Sequence, residues 1–462
     1  MFSLFDTLSG SLRPLPKTAR PVKLFVCGPT VYDDMHLGHA RTYLVFDVLV
    51  RVLRAGGYKV NYIQNITDID DKIIRRAREF KTTPRLLAAS YLRRYLSDSR
   101  ALGIASVDKY VKAGSVIRVI IDQVSRLLRR GFAYVTPRGV YFRVKKFKTY
   151  GRLSHQNISV LRAGYRIEPD PGKEDILDFA LWKKTTDSFE PSWSSPWGKG
   201  RPGWHIEDTA ISEKYFGLQY DLHGGAVDLK FPHHEAEIAQ AESLSGRRPF
   251  VKIWLHTGFL TISGQKMSKS LHNFITVDDF LKKYHPDVLR WLVLNRHYRS
   301  PLNYTSVSAS QSVNSLLSVK TFFAYLDSNR LTGSVRSSVS AAAAHFSKFF
   351  DESLNSDFAT PEAIAAIFSL MREINTLSSL NKSETRLIKK TLSSRFSVLG
   401  LSLHSSPIPD KIKELISRRE VLRTVRDFRR ADAVREEISA LGFRLDDTPS
   451  GPVVVKNDLE KI

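Results

Sequence analysis

An apolar run at residues 24–26 is closed by Gly28-Pro29, the pattern of a buried strand that ends in a turn. The period then changes. Across residues 40–53, Leu44, Val45, Val48, Leu49 and Val52 fall on one face of a helix. Residues 60–63 predict a second strand, followed by the acidic stretch Thr67-Asp68-Ile69-Asp70-Asp71 and a helix from Lys72. Further along, residues 223–231 read as a buried strand entered through glycines. Residues 232–242 read as a helix with Pro232 suited to its first turn, and residues 251–258 as another strand. Strands alternating with helices predict an α/β fold with a parallel sheet and ligands at the carboxyl ends of its strands. Between about 105 and 199 the pattern loosens, and Gly131-Phe-Ala-Tyr-Val and Gly139-Val-Tyr-Phe-Arg-Val predict a hairpin. Helical periodicity dominates after about 275, and Gly and Pro are sparse from roughly 305 to 400, which predicts a helical bundle.

Composition narrows the class. A chain of 462 residues has room for two to four domains. Its net charge of +23, from 70 Lys and Arg against 47 Asp and Glu, predicts an anionic partner, most simply nucleic acid. A membrane partner would require a long apolar run or a basic amphipathic anchor, and the sequence shows neither. The first residues carry no charged segment leading into an apolar core, so no signal peptide is expected. The single cysteine excludes an intrachain disulfide and predicts a cytoplasmic protein.

Candidate chemistry gathers where the first strand turns into the first helix. Cys27, His36, Gly38 and His39 lie there. A helix start presents free backbone N–H groups to phosphate, Gly38 lets a nucleotide approach the backbone, and each histidine can donate a hydrogen bond. Two surface histidines beside a cap are the alternative. Lys266-Met-Ser-Lys-Ser270 carries two lysines three apart among hydroxyl residues. It reads as a loop closing over phosphates, or as a solvated basic loop. The carboxylates of residues 68–71 could orient Mg²⁺ or cap the following helix. The basic side chains of residues 126–148 fit either contact with an anionic partner or a solvated face. The arginines of residues 423–430, read as one helix, fit either a solvated face or nucleic-acid phosphates.

In this order and separation, His36-Leu-Gly-His39 and Lys266-Met-Ser-Lys-Ser270 resemble the two signatures of class I aminoacyl-tRNA synthetases. Cys27-Gly-Pro-Thr-Val-Tyr-Asp33, Asn65-Ile-Thr-Asp-Ile-Asp-Asp-Lys-Ile-Ile74 and Gly200-Arg-Pro-Gly-Trp-His-Ile-Glu207 resemble the cysteinyl branch of that class. So do Phe231-Pro-His-His-Glu-Ala-Glu-Ile-Ala-Gln240 and His297-Tyr-Arg-Ser-Pro-Leu-Asn-Tyr304, while residues 440–449 resemble its small anticodon-binding module. The resemblance implies a Rossmann-like catalytic domain with an inserted connective subdomain, then a C-terminal helical bundle and an anticodon-binding module. The corresponding divisions are 1–104 and 200–260 for the two catalytic halves, 105–199 for the insertion, 261–315 for the lysine-loop region, 316–400 for the bundle and 401–462 for the last module. It implies ATP-dependent attachment of L-cysteine to tRNA(Cys) through a cysteinyl-adenylate; a monomer is expected, although the sequence does not fix the oligomeric state. His36, Gly38, His39, Lys266 and Lys269 would bind ATP, accompanied by Mg²⁺, and the histidines and lysines would serve catalysis. A related ligase joining cysteine to an amino sugar is the alternative, but it would not need a basic helical tail.

The resemblance also implies one zinc ion that selects the substrate thiol, held at Cys27, Asp208, His233 and Glu237. His233 and Glu237, four apart, share one helix face. Asp208 departs from the family, which usually has cysteine there. Zinc accepts carboxylate oxygen as well as thiolate, and both ligands carry one negative charge, but aspartate makes the site harder.

Overall fold

The computed structural model describes residues 1–156, 172–267, 273–328, 331, 333–377, 379–402, 407–448 and 451–461, which form two compact units. The first comprises residues 1–260 and 298–301. It opens with a hairpin of β1 (Ser3–Asp6) and β2 (Ser11–Pro14). The sheet strands are β3 (Val22–Val26), β4 (Val60–Ile66) and β5 (Lys109–Lys112). Between and after them lie helices α1 (Leu37–Ala55), α2 (Asp71–Glu79), α3 (Pro84–Ala101) and α4 (Ile117–Arg129). An antiparallel sheet follows, built from β6 (Ala133–Thr136), β7 (Gly139–Phe142), β8 (Phe179–Lys184) and β9 (Gly200–Pro202). The chain then returns through α5 (Ile206–Tyr215), β10 (Tyr220–Ala226), α6 (His233–Ser245) and β11 (Val251–Thr257).

The main sheet has the order β11-β10-β3-β4-β5, with every neighbouring pair parallel. Chain order reverses between β3 and β10, so the crevice for a ligand opens at their carboxyl ends. The pairing of β5 with β4 puts residues 109–112 in the parallel sheet rather than in the inserted subdomain, because the apolar pattern could not reveal which sheet a short strand joins.

Local chemistry explains the element ends. Asp70 caps α2 by accepting the Lys72 N–H at 2.8 Å, and Thr83 accepts the Leu86 N–H at 3.3 Å ahead of Pro84. The strand expected over 223–231 is instead β10, three residues earlier at each end or more, with residues 227–230 in a 3₁₀ turn. Its glycines do not mark entry to the strand. A Cβ on Gly224 would lie 2.2 Å from the Phe46 ring, so this glycine lets α1 pack on the sheet. Pro232 caps α6 rather than occupying its first turn.

The second unit comprises residues 261–297 and 302–462. Strands β12 (Leu260–Ile262), β13 (Gln265–Lys266) and β14 (Leu302–Tyr304) form a small sheet beside α7 (Val277–Lys283) and α8 (Pro286–Leu294). Helices α9 (Ser306–Ser328), α10 (Ser337–Asn355), α11 (Thr360–Asn375) and α12 (Lys382–Leu399) follow. The last elements are α13 (Asp410–Thr424), α14 (Phe428–Ala440), β15 (Phe443–Thr448) and β16 (Gly451–Lys456). The arginines of residues 423–430 therefore do not share one helix. They straddle a corner where Arg426 has φ of +58° and Asp427 starts α14 by accepting the Arg430 N–H. Among the described residues no helix is long and apolar enough to cross a membrane.

Arg41 on α1 is 1% exposed, and its guanidinium donates to the carbonyls of Gly258 (2.8 Å), Phe259 (2.5 Å), Tyr298 (3.2 Å) and Ser300. One buried cation thus fastens residues 298–301 to the sheet unit. Replacing Arg41 by Met keeps much of the volume but strips those carbonyls of a charged donor. It is expected to cost about 3 kcal/mol, read as a lower denaturation midpoint in urea with unchanged slope.

Candidate active site and metal centre

β3 delivers Cys27 into the core at the point where chain order reverses. The Cys27 N–H donates to the Gly224 carbonyl at 2.9 Å, holding the residue against β10. Gly28 must be glycine, because a Cβ there would lie 1.8 Å from the Asn65 carbonyl oxygen. From β10, Tyr220 and His223 face the same region. Asp208 arrives on α5, and His233, His234 and Glu237 arrive on α6.

The four residues expected to bind metal converge. Cys27 Sγ lies 3.1 Å from Asp208 Oδ2 and 3.9 Å from Glu237 Oε1. His233 Nε2 lies 3.1 Å from Asp208 Oδ2 and 3.2 Å from Glu237 Oε1. Each of the four is buried, and their ligand atoms fall within 4.8 Å of one another. Asp208 Oδ1 and Glu237 Oε2 are buried without a hydrogen-bond partner among the described residues. Burial, then the Asp208 and Glu237 charges, push the Cys27 thiol well above its ordinary range; burial, then Asp208, push the Glu237 carboxyl up. Acidic groups crowded into a dry core without a cation resist ionising. Thiolate, imidazole and carboxylate donors at this separation fit a divalent metal.

Sequence reasoning missed the imidazoles around this centre. His234 Nε2 is 3.1 Å and His223 Nε2 is 3.3 Å from Cys27 Sγ, so both lie in a second overlapping donor set with Cys27 and Glu237. Each ring is oriented from behind. His223 Nδ1 meets the Tyr220 hydroxyl at 2.6 Å, and His234 Nδ1 meets His256 Nε2 at 2.9 Å. His256 Nδ1 in turn meets Thr7 Oγ1 at 2.8 Å, and His233 Nδ1 meets His205 Nδ1 at 3.0 Å. Trp204 stacks on His233 with centroids 4.2 Å apart. Burial lowers the pKa of His205, His223, His234 and His256 well below the usual value, so these rings are neutral. The one available signal was the gathering of His205, His223, His233, His234 and His256 within about fifty residues.

His36 and His39 stack at the start of α1, with centroids 3.7 Å apart. Here the expectation of free backbone donors is corrected. His36 Nδ1 already accepts the N–H groups of Gly38 (3.1 Å) and His39 (3.3 Å), because an N-cap side chain satisfies the donors a helix leaves open. The proton of neutral His36 therefore sits on Nε2. Burial lowers the His36 pKa to about 4, with Asp33 opposing, and takes His39 well below its usual range, helped by His36 and Lys72. Both rings are neutral donors at neutral pH.

Of the acidic stretch, Asp70 is the cap, Asp68 accepts the Gly114 N–H at 2.8 Å, and Asp71 pairs with Lys183 and Arg201. Lys266 is exposed at the end of a tight hairpin whose Gly264 has φ of +81°. Lys269 lies outside the described residues.

Comparison with known proteins adds an independent line. Residues 15–314 match the family described as tRNA synthetases class I (C) catalytic domain, and residues 349–404 match the DALR domain. The chain is 43% identical to a cysteine–tRNA ligase of Thermococcus onnurineus over 94% of each chain. It is 41% identical to one of Caldicellulosiruptor saccharolyticus over 98% of this chain and 99% of that one. Its fold is similar to a Mycobacterium tuberculosis methionyl-tRNA synthetase in complex with methionyl-adenylate, with a TM-score of 0.62, 15% identity, and coverage of 82% of this chain and 89% of that one.

Removing one donor of the converged set tests its role. Asp208→Ala is expected to weaken binding of zinc or cobalt by more than about 100-fold, since loss of a group merely supporting a ligand already costs about 10–100-fold. Asp208→Cys should retain the metal. Titration against a chromophoric chelator reads both, and undiminished affinity in Asp208→Ala would show that the carboxylate is not a ligand.

Proposed function

The chain belongs to the cysteine–tRNA ligase family of class I aminoacyl-tRNA synthetases, and from that premise we propose how its residues divide the work of attaching cysteine to tRNA. The supporting observation is one segment, residues 27–39, carrying both a buried metal donor and the stacked histidine pair. Amino acid and ATP phosphates would thus meet at the carboxyl edge of one strand. Relatives named cysteine–tRNA ligase match the chain over nearly its whole length, so joining cysteine to an amino sugar is not favoured.

ATP, with its Mg²⁺, lies along the start of α1 with Gly38 leaving room at the backbone. Neutral His36 and His39 donate to its phosphates without adding charge to the ground state. The cysteine carboxylate attacks the α-phosphate, giving cysteinyl-adenylate and pyrophosphate. Lys266 and Lys269 balance the charge that builds on the departing pyrophosphate. The acyl group then passes to the terminal ribose of tRNA(Cys). No covalent enzyme intermediate is required, so rate comes from position and preorganised charge.

Cys27, Asp208, His233 and Glu237 are the proposed zinc ligands. Zinc bound there would favour the substrate as thiolate, a state that serine's hydroxyl does not reach at neutral pH. That discrimination matters because a hydrophobic pocket separates such close analogues by only about 1–3 kcal/mol. Asp208 preserves the charge of the thiolate it replaces but makes the donor set harder. Tyr220, His256 and His205 position the imidazoles that surround Cys27. A reducing cytoplasm suits the buried free thiol, and a monomer is the proposed state.

For tRNA, the corner between α13 and α14 is the proposed anticodon contact. Val421, Val425 and Phe428 are exposed there, among Arg423, Arg426, Arg429 and Arg430. Arg423 pairs with Asp447, whereas Arg426 and Arg429 form no ion pair among the described residues. An exposed aromatic ring flanked by unpaired guanidiniums suits a stacked base and its phosphates. The module is held by Arg419, 2% exposed, which donates to both oxygens of Asp447 at 2.8 Å.

Amino-acid-dependent ATP–pyrophosphate exchange tests the catalytic reading. Exchange with cysteine and almost none with serine is expected; equal exchange with both would refute selection of the thiol by this site. For the tRNA contact, Phe428→Ala should raise the KM for tRNA about tenfold, the loss of one stacked base, while leaving exchange unchanged.

A further inference from the structure

The parallel sheet has a second concavity at its opposite edge. A pocket of about 1310 Å³ opens at the amino ends of β3, β10 and β11, beneath the β1–β2 hairpin. Strand rise puts it on the order of 15–20 Å from Cys27, at the end of the strands that adenylate chemistry does not use. Its described lining holds Arg13, Arg20, Lys23, Arg152, Arg248 and Lys252 against two carboxylates, Asp6 and Asp221.

With Glu242, which pairs with Arg248, these carboxylates leave half of the positive charge uncompensated. Asp6 accepts the backbone N–H groups of Trp254 and Ser9, each at 2.9 Å. Asp221 accepts the Lys23 N–H at 2.9 Å and pairs with Lys252 at 2.8 Å. Arg248 pairs with Glu242 at 3.0 Å, and Arg13 donates to Ser9 Oγ at 3.2 Å. Arg20 and Arg152 form no ion pair among the described residues. These cations come from separate chain segments and converge only through the fold, unlike a charged stripe on one solvated helix. Pro21, Pro249 and Ile253 add apolar surface to the lining.

We propose that this pocket binds an oligophosphate, either inorganic or the phosphate tail of a nucleotide, at a site separate from the ATP site. Guanidinium forks match phosphate oxygens two at a time, and several converging forks suit a chain of phosphates better than a single carboxylate. A concave volume of this size has room for a nucleotide-sized ligand.

The test is calorimetric titration of the full chain with inorganic tripolyphosphate. Binding is expected, with the double variant Arg20→Glu, Arg152→Glu weakened by more than about tenfold and cysteine-dependent exchange unchanged. Affinity within about twofold of the parent would overturn the proposal. On the unmodified protein, tripolyphosphate should protect Arg20 and Arg152 from phenylglyoxal, read by mass spectrometry; unprotected arginines would also overturn it, whatever the folding of the variant. Tighter binding of GTP than of tripolyphosphate at the protected arginines would assign a nucleotide, and equal binding an inorganic ligand. Protection by a short single-stranded RNA but not by either small phosphate would refute a small-ligand site.

Discussion

A thiol and two carboxylates share one dry space at the centre of the sheet unit, and the surrounding structure answers to that constraint. Cys27, Asp208 and Glu237 cannot all ionise in a low-dielectric core unless a cation or protons join them. The fold supplies neutral imidazoles and, among the described residues, leaves two of its carboxylate oxygens without a hydrogen-bond partner, so the cluster is better matched to a metal than to itself. It is also braced from behind by Tyr220, His256, Thr7 and His205. Thr7 lies beside the amino-terminal hairpin, whose Asp6 is fixed to Trp254. The hairpin therefore reaches the centre through a hydrogen-bond chain as well as through packing.

The histidine pair on α1 meets a different demand. The phosphate site proposed for this pair needs donors that are held ready before the ligand arrives. His36 meets this by capping its own helix through Nδ1, which directs the proton to Nε2 and fixes the ring, while stacking fixes His39. Burial keeps both rings neutral, so they can stabilise charge that develops during reaction without repelling each other at rest. Asp208 fits the same economy of charge. As a proposed ligand standing where the family resemblance implies cysteine, it would keep the charge of the centre while making the donor set harder.

Much of the catalytic unit was legible from periodicity and motif. The β3–turn–α1 passage, the alternation of strands and helices, the i, i+4 pair His233 and Glu237, and the helical second half follow from local patterns. Three features did not. The capping role of His36 is a choice between two hydrogen-bond partners that the sequence leaves open. The arginines of residues 423–430 read as one helix because their spacing is helical, whereas a residue at positive φ breaks them into a corner. The glycines of β10 looked like a strand entrance because what they clear, Phe46 at Gly224 and His234 at Gly225, lies on other elements.

Sequence alone determined which residue types could hold a metal and phosphates, and that the chain carries a large excess of positive charge. Those properties reside in side chains and in short spacings, which survive without the fold. Tertiary structure decided that Asp208 stands 3.1 Å from the only thiol and that His223 and His234 crowd the same sulfur. It also gathered arginines from separate segments into one pocket at the far edge of the sheet. Such convergences depend on strand order and helix crossings, set by packing between elements far apart in the chain, and no local pattern carries that information.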